Sequence, residues 1–118
     1  MGVDFTAHGA SSVHMMYGTM NAIRDAVACG LDKDFGEHYK LGTYIPKNLM
    51  QRIDGDILEF LMQSDVEGSL NYMGCKKVAV ELNKLKILGG RVALEKRKNE
   101  LERIMEYCYT HKKTLNWK

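Results

Sequence analysis

Residues 63–75 read QSDVEGSLNYMGC and have the spacing of a calcium-binding EF-hand loop. Such a loop takes oxygen ligands from its positions 1, 3, 5, 7 and 9 and a bidentate glutamate from position 12. Here those positions hold only two carboxylates; they are Gln63, Asp65, Glu67, Ser69, Asn71 and Gly74. Position 1 is neutral and position 12 has no side chain. The pattern therefore predicts a turn without a metal or other cofactor, with Gly68 at a positive φ and Leu70 in the core.

The same stretch carries a resemblance to a family of small, uncharacterised phage and prophage proteins. These begin M-G-[VIL]-D-F and contain a motif close to L-L-x-H-S-D-C-D-G-E-L-T-P-E-E-C-K-K-[VL]. The chain matches at Met1–Phe5, Ser64, Asp65, Gly68, Leu70 and Cys75–Val78. It departs at Val66, Glu67, Ser69 and Tyr72–Gly74. The resemblance implies a small helical protein of phage origin and brings no catalytic residue with it.

The second chemical feature is a basic C-terminal third. Residues 1–83 hold 7 Lys or Arg against 11 Asp or Glu, a net charge of −4, whereas residues 84–118 hold 10 against 4, a net charge of +6. Four basic residues are candidates for binding phosphate groups or a partner: Arg91, Arg97, Lys98 and Arg103. They alternate with four glutamates, which is also typical of a solvated helix face with i, i+4 ion pairs.

Two tyrosines complete the candidate binding residues. Tyr39 and Tyr44 lie in an aromatic segment over residues 31–46, which glycines and Pro46 predict to be an irregular connector. Such rings could stack on a base or a partner, or could cover the core.

The sequence contains no phosphate-binding glycine loop and no nucleophile elbow. Asp54 and Asp56 flank Gly55 but have no third group to complete a catalytic site. Three cysteines without C-x-x-C spacing favour buried thiols in a reducing compartment. These features predict that the protein is not an enzyme.

The fold class that these residues require is mainly α, at the margin of α+β. A short β-hairpin is predicted over residues 1–16, with its turn at Gly9–Ser12. Apolar residues at helical spacing predict helices over residues 17–30, 47–63, 72–88 and 91–114. We expect one domain over residues 1–118, a compact helical bundle with a long C-terminal helix.

The last predicted helix carries a seam of residues seven apart: Leu94, Leu101, Cys108 and Leu115. This seam favours packing against the other helices and would also permit a homodimer.

Together with the resemblance, which implies phage origin, these features predict a small binding protein in the host cytoplasm, which blocks a host protein or complex such as one of antiviral defence. An acidic face could act there by imitating nucleic acid; it comprises Asp32, Asp34, Glu37, Asp54, Asp56 and Glu59. Two alternatives stay open, a sponge for a nucleotide signal and direct nucleic-acid binding through the basic helix. No apolar run is long enough for a membrane helix, so we expect no membrane association.

Overall fold

The computed structural model describes residues 2–85 and 91–118. These ranges contain four strands: β1 (Gly2–Thr6), β2 (Val13–Met16), β3 (Gly68–Leu70) and β4 (Leu115–Trp117). They also contain six helices: α1 (Tyr17–Leu31), α2 (Lys33–Leu41), α3 (Lys47–Met50), α4 (Gly55–Met62), α5 (Tyr72–Lys84) and α6 (Val92–His111). The protein is therefore mainly helical with one small sheet, as the sequence predicts at the coarse level.

The strands form one antiparallel sheet in the order β2-β1-β4-β3. Residues alternate along each strand between a buried and an exposed face. One face of the sheet therefore packs against the helices, and the other face is exposed to solvent. The predicted hairpin of β1 and β2 is present, and its turn has Gly9 at φ 86°. It is nevertheless only half of the sheet, because β4 pairs with β1 and brings β3 with it.

The C-terminal strand corrects the prediction of a helix to residue 114 and of a seam through Leu115. The helix α6 ends at His111, and Lys112 takes a left-handed conformation with φ 54° as its C-cap. Leu115 then lies in β4, opposite Leu70. The alternation of apolar Leu115, polar Asn116 and apolar Trp117 was the signal for a strand that the sequence contained.

The predicted connector over residues 31–46 is also corrected, because it contains α2. Asp32 accepts a hydrogen bond from the Phe35 amide at 2.9 Å and so caps the helix, while Gly42 ends it at φ 70°. Phe35 and Tyr39, four residues apart, turn one face of α2 to the core. An N-cap and a C-terminal glycine bracketing nine residues could have indicated this helix.

The helix predicted over residues 47–63 is divided into α3 and α4. The Asp54 carboxylate accepts the Asp56 amide at 2.9 Å, which starts a new helix at Gly55 instead of continuing the old one. Ile53 is buried in the break between them. The third predicted helix extends to residue 88; α5 ends at Lys84, and residues 86–88 lie outside the described residues.

The core lies between the sheet and the helices, and α5 and α6 pack side by side within it. Leu101 and Cys108 of the predicted seam are fully buried there, so their side chains serve packing within the chain. Cys75 is buried as well, whereas the prediction of a buried thiol is wrong for Cys29, which is exposed. Within the described ranges, no helix combines the length and the apolar character needed to cross a membrane.

Candidate functional site

The EF-hand-like loop closes through its own hydrogen bonds. Gln63 follows α4, and its Nε2 donates to the Ser69 carbonyl at 2.6 Å while its Oε1 accepts from the Ser69 amide at 3.0 Å. In a calcium loop the cation joins the position 1 side chain to the position 7 carbonyl. Here one side-chain amide spans the same two positions.

The position of the missing twelfth ligand is also filled. Gly74 is buried in the first turn of α5, where Asn71 caps its amide at 2.8 Å. A Cβ added at Gly74 would lie 2.6 Å from Cδ1 of Leu70, which is buried in the core. A glutamate at this position would therefore displace the Leu70 side chain. Among the described residues, no group of three or more His, Cys, Asp and Glu side chains is arranged to hold a metal ion.

Gly68 serves this loop differently from the prediction. Its φ is not among the positive values, which in the described chain occur at Gly9, Gly42 and Lys112. Instead, a Cβ on Gly68 would overlap the indole of Trp117 in the neighbouring strand. Glycine is needed here for close approach, and the turn has no left-handed residue.

A buried arginine lies beneath the loop. Arg24 of α1 is 4% exposed, and its guanidinium carbon lies 5.4 Å from the Phe60 ring centroid and 5.9 Å from that of Trp117. Burial lowers the pKa of Arg24, and the neighbouring Tyr39 and Asp65 raise it in part. Within residues 2–85 and 91–118 its Nε and Nη2 have no hydrogen-bond partner, so the two aromatic faces, together with Tyr39 and Asp65, compensate for its burial in part.

Asp54 and Asp56 both form an ion pair with the same lysine, which gives them a structural role. Lys77 of α5 places its Nζ 3.1 Å from an oxygen of Asp54 and 2.8 Å from one of Asp56. The hydrogen bond that Lys77 donates to Asp54 lowers the pKa of Asp54, and the one that Lys77 donates to Asp56 raises the pKa of Lys77. The pair thus caps α4 and ties it to α5.

This contact predicts a pH dependence of stability. Because the folded pKa of Asp54 is depressed, its contribution is complete above the unfolded pKa of about 4 and is lost as the pH falls through the folded value. We expect Asp54→Asn, which keeps a capping side chain, to lose less stability than the wild type between about pH 6 and about pH 2. Urea denaturation across that range measures it. Glu59→Gln, in α4, is the control and should lose stability with falling pH as the wild type does. The prediction is contradicted if the free energy of unfolding of Asp54→Asn falls with pH as steeply as that of the wild type.

The acidic face proposed as a nucleic-acid mimic is only partly neutralised by such pairs, because two basic residues, Arg52 and Lys77, serve four of its carboxylates. Arg52 lies 3.2 Å from a carboxylate oxygen of Asp32 and 3.2 Å from one of Asp34. With Asp54 and Asp56 held by Lys77, four of its six carboxylates have a basic partner.

The basic residues predicted from the sequence do not form one surface. Lys98 is buried; its Nζ donates to the Leu82 carbonyl at 3.1 Å and lies 3.8 Å from Glu102. Of the four basic candidates, Lys98 is therefore not exposed to a ligand or partner. Arg97 pairs with Glu100 at 2.9 Å. Arg91 and Arg97 line one shallow depression of about 340 Å³, and Arg103 lines another.

The separation of the arginines follows from their spacing. Steps of six residues turn about 240° around a helix, so Arg97 and Arg103 point in different directions. The depression at Arg103 contains Lys96 but also Glu95 and Glu100, which balance its charge. A continuous phosphate-binding stripe is therefore absent from the described part of α6.

The two candidate tyrosines differ in their availability. Tyr39 donates its hydroxyl to the Leu61 carbonyl at 2.7 Å and stacks on Phe35 at 6.0 Å, so it joins α2 to α4. Tyr44 is 82% exposed and remains a candidate contact residue.

A surface that was not predicted from the sequence lies on α5. Met73 and Val80 are 40% and 46% exposed, and Lys76 between them places its Nζ 4.8 Å from the centroid of the Tyr109 ring of α6. We call these four residues the α5 ridge. Grooves of about 320 Å³ against α4 and about 420 Å³ against α6 flank it. The spacing of seven between Met73 and Val80, amid lysines, was the available signal.

Comparison of the chain with family models, curated proteins and solved structures finds no match.

Proposed function

We propose that this protein is a small binding protein without a catalytic role, which docks on a partner protein through the α5 ridge and blocks it. The observation that carries the proposal is the grouping of Met73, Val80 and Tyr109, three large apolar side chains exposed around one lysine. Aromatic residues and methionine are enriched at protein interfaces, and exposed apolar patches mark such sites.

The resemblance to phage proteins supports a more specific form of this proposal. In that form the partner is a host protein or complex in the cytoplasm, such as one of antiviral defence. Apart from Lys76, the lysines of α5 are paired with carboxylates, which suits a surface that exchanges solvent for another protein better than one that binds a free phosphate.

Affinity capture from host lysate tests this proposal. We expect the double substitution Met73→Glu, Val80→Glu to reduce capture of a stoichiometric partner at least about tenfold, because it places two charges in the buried part of the interface. Val66→Glu, at a residue of similar exposure in the loop, is the matched control and should capture as the wild type does.

Circular dichroism of each variant establishes that the fold is retained. The ridge is not the interface if its double variant still captures the partner and charge reversal of Arg91, Arg97 and Arg103 abolishes capture.

A second candidate function uses the depression shared by Arg91, Arg97 and Thr19. Two guanidinium groups beside a hydroxyl suit a nucleotide or nucleic-acid phosphate, as a sponge or a nucleic-acid-binding protein requires. Copurified nucleotide, or affinity for nucleic acid that falls steeply with salt, supports this function, and either should be lost in Arg91→Glu, Arg97→Glu.

A further inference from the structure

The charge of the α5 ridge is concentrated at one side chain. Lys77 is held by Asp54 and Asp56, and Lys84 lies 3.2 Å from Glu81. Lys76, in contrast, has no carboxylate within ion-pair distance among residues 2–85 and 91–118. The exposed lysine at the centre of the ridge is thus the one on this face whose charge is left for a partner.

Apolar groups surround that ammonium on the surface. Met73 precedes Lys76 by about one turn of α5, and Val80 follows by about one turn. Tyr109 lies beside it on α6. A partner that complements this arrangement presents a carboxylate between apolar side chains.

The shape of the ridge favours a helix as the bearer of these groups. Met73 and Val80 are seven residues apart, about 10.5 Å along α5, and a helix repeats its face at the same interval. The two flanking grooves, with Ile57 in one and Ala79 in the other, accept side chains on either side of such a helix.

Glu106 sets a limit on the charge of the partner. It lines the groove between α5 and α6 together with Asn83 and lies next to Glu102, which raises its pKa after the larger effect of burial. A second carboxylate of the partner at this end of the groove would be repelled. The complementary charge is therefore a single acidic position at Lys76.

We propose that the α5 ridge binds an amphipathic helix of a partner protein, with one carboxylate of that helix on Lys76 and its apolar residues in the two grooves. This inference rests on the proposed function and specifies the partner's interface.

Two synthetic peptides test the charge preference directly. Both are helical, of roughly 16 residues, with leucines at positions i, i+3, i+7 and i+10 on one face. One has a glutamate amid the leucines, and the other has a lysine at the same position. Fluorescence anisotropy measures the affinity of each for the full-length protein.

We expect the glutamate peptide to bind the wild type about tenfold more tightly than the lysine peptide, and Lys76→Glu to reverse this order. Lys33→Glu, an exposed site on α2, is the matched control and should leave the preference unchanged. Lys76→Gln, which removes the charge without reversing it, should bring the two affinities together.

Equal binding of the two peptides, a preference that Lys76→Glu leaves unchanged, or failure of both peptides to bind overturns the inference. Dimerisation through the ridge overturns the inference as well. It would be detected as a dimer mass in solution that Met73→Glu returns to the monomer mass. The capture experiment tests the proposed function separately from the peptides. The Met73→Glu, Val80→Glu variant can lose its captured partner even if neither peptide binds.

Discussion

Replacing Trp117 by alanine is expected to lower the free energy of unfolding by about 4 kcal/mol. The indole is 1% exposed and lies 5.7 Å from the ring of Phe5 and 6.2 Å from that of Phe60. Its Nε1 also donates to the Ser64 carbonyl at 2.9 Å. One side chain therefore joins the sheet, α4 and the loop, and its removal leaves a cavity where these parts meet.

Urea denaturation followed by far-ultraviolet circular dichroism measures this loss, since Trp117 is the only tryptophan and the variant has no indole fluorescence. Trp117→Phe keeps an aromatic ring but loses the hydrogen bond to Ser64, and should lose about half as much. Tyr44→Ala, at an exposed ring, is the control and should change stability by less than about 0.5 kcal/mol. A loss below about 1 kcal/mol in Trp117→Ala would show that the indole does not hold these parts together.

Substitution of Gly36 by alanine is the second large effect that we expect, a loss of about 2 kcal/mol. Gly36 is buried where α2 crosses α1, and a Cβ there would lie 2.5 Å from Cα and 2.9 Å from the amide nitrogen of Cys29. Backbone atoms cannot rotate away, so the two helices must separate. This cost exceeds the gain of about 1 kcal/mol that alanine brings to a helix.

Gly18→Ala is the matched control, because Gly18 is exposed in α1 and a Cβ there would have no heavy atom within 4 Å. We expect it to raise stability by up to about 1 kcal/mol, as replacement of a helical glycine usually does. Thermal and urea denaturation of the two variants give the comparison. Stabilisation by both substitutions would mean that α1 and α2 do not approach each other closely at Gly36 and Cys29.

The local elements whose signals are contiguous in the chain could be predicted. The stripe of Met20, Ile23 and Val27 indicates α1, and these three side chains are buried. The alternation around Gly9 indicates the hairpin of β1 and β2. Both signals depend on periodicity over a few residues, which no distant contact needs to supply.

The candidate binding surface could be predicted only in part. Periodicity places Lys76, Lys77 and Lys84 on the outer face of α5, but ion pairing with residues distant in sequence neutralises Lys77 and leaves Lys76. Lys98 could not be placed correctly from the sequence. A lysine is expected in solvent, but the ammonium of Lys98 is buried with the Leu82 carbonyl and Glu102 as its partners.

The mainly helical character, the hairpin and a loop deficient in metal ligands could be predicted from the sequence, because these follow from periodicity, turn residues and ligand count. The tertiary structure decided that residues 115–117 form a strand, since pairing with β1 and β3 supplies hydrogen bonds that a short segment cannot make alone. It also decided that the loop closes on Ser69, that Gly68 faces an indole, and that Met73 and Val80 stay exposed. The strand pairing and the approach of Gly68 to Trp117 depend on contacts between residues far apart in the chain, which local propensity does not encode.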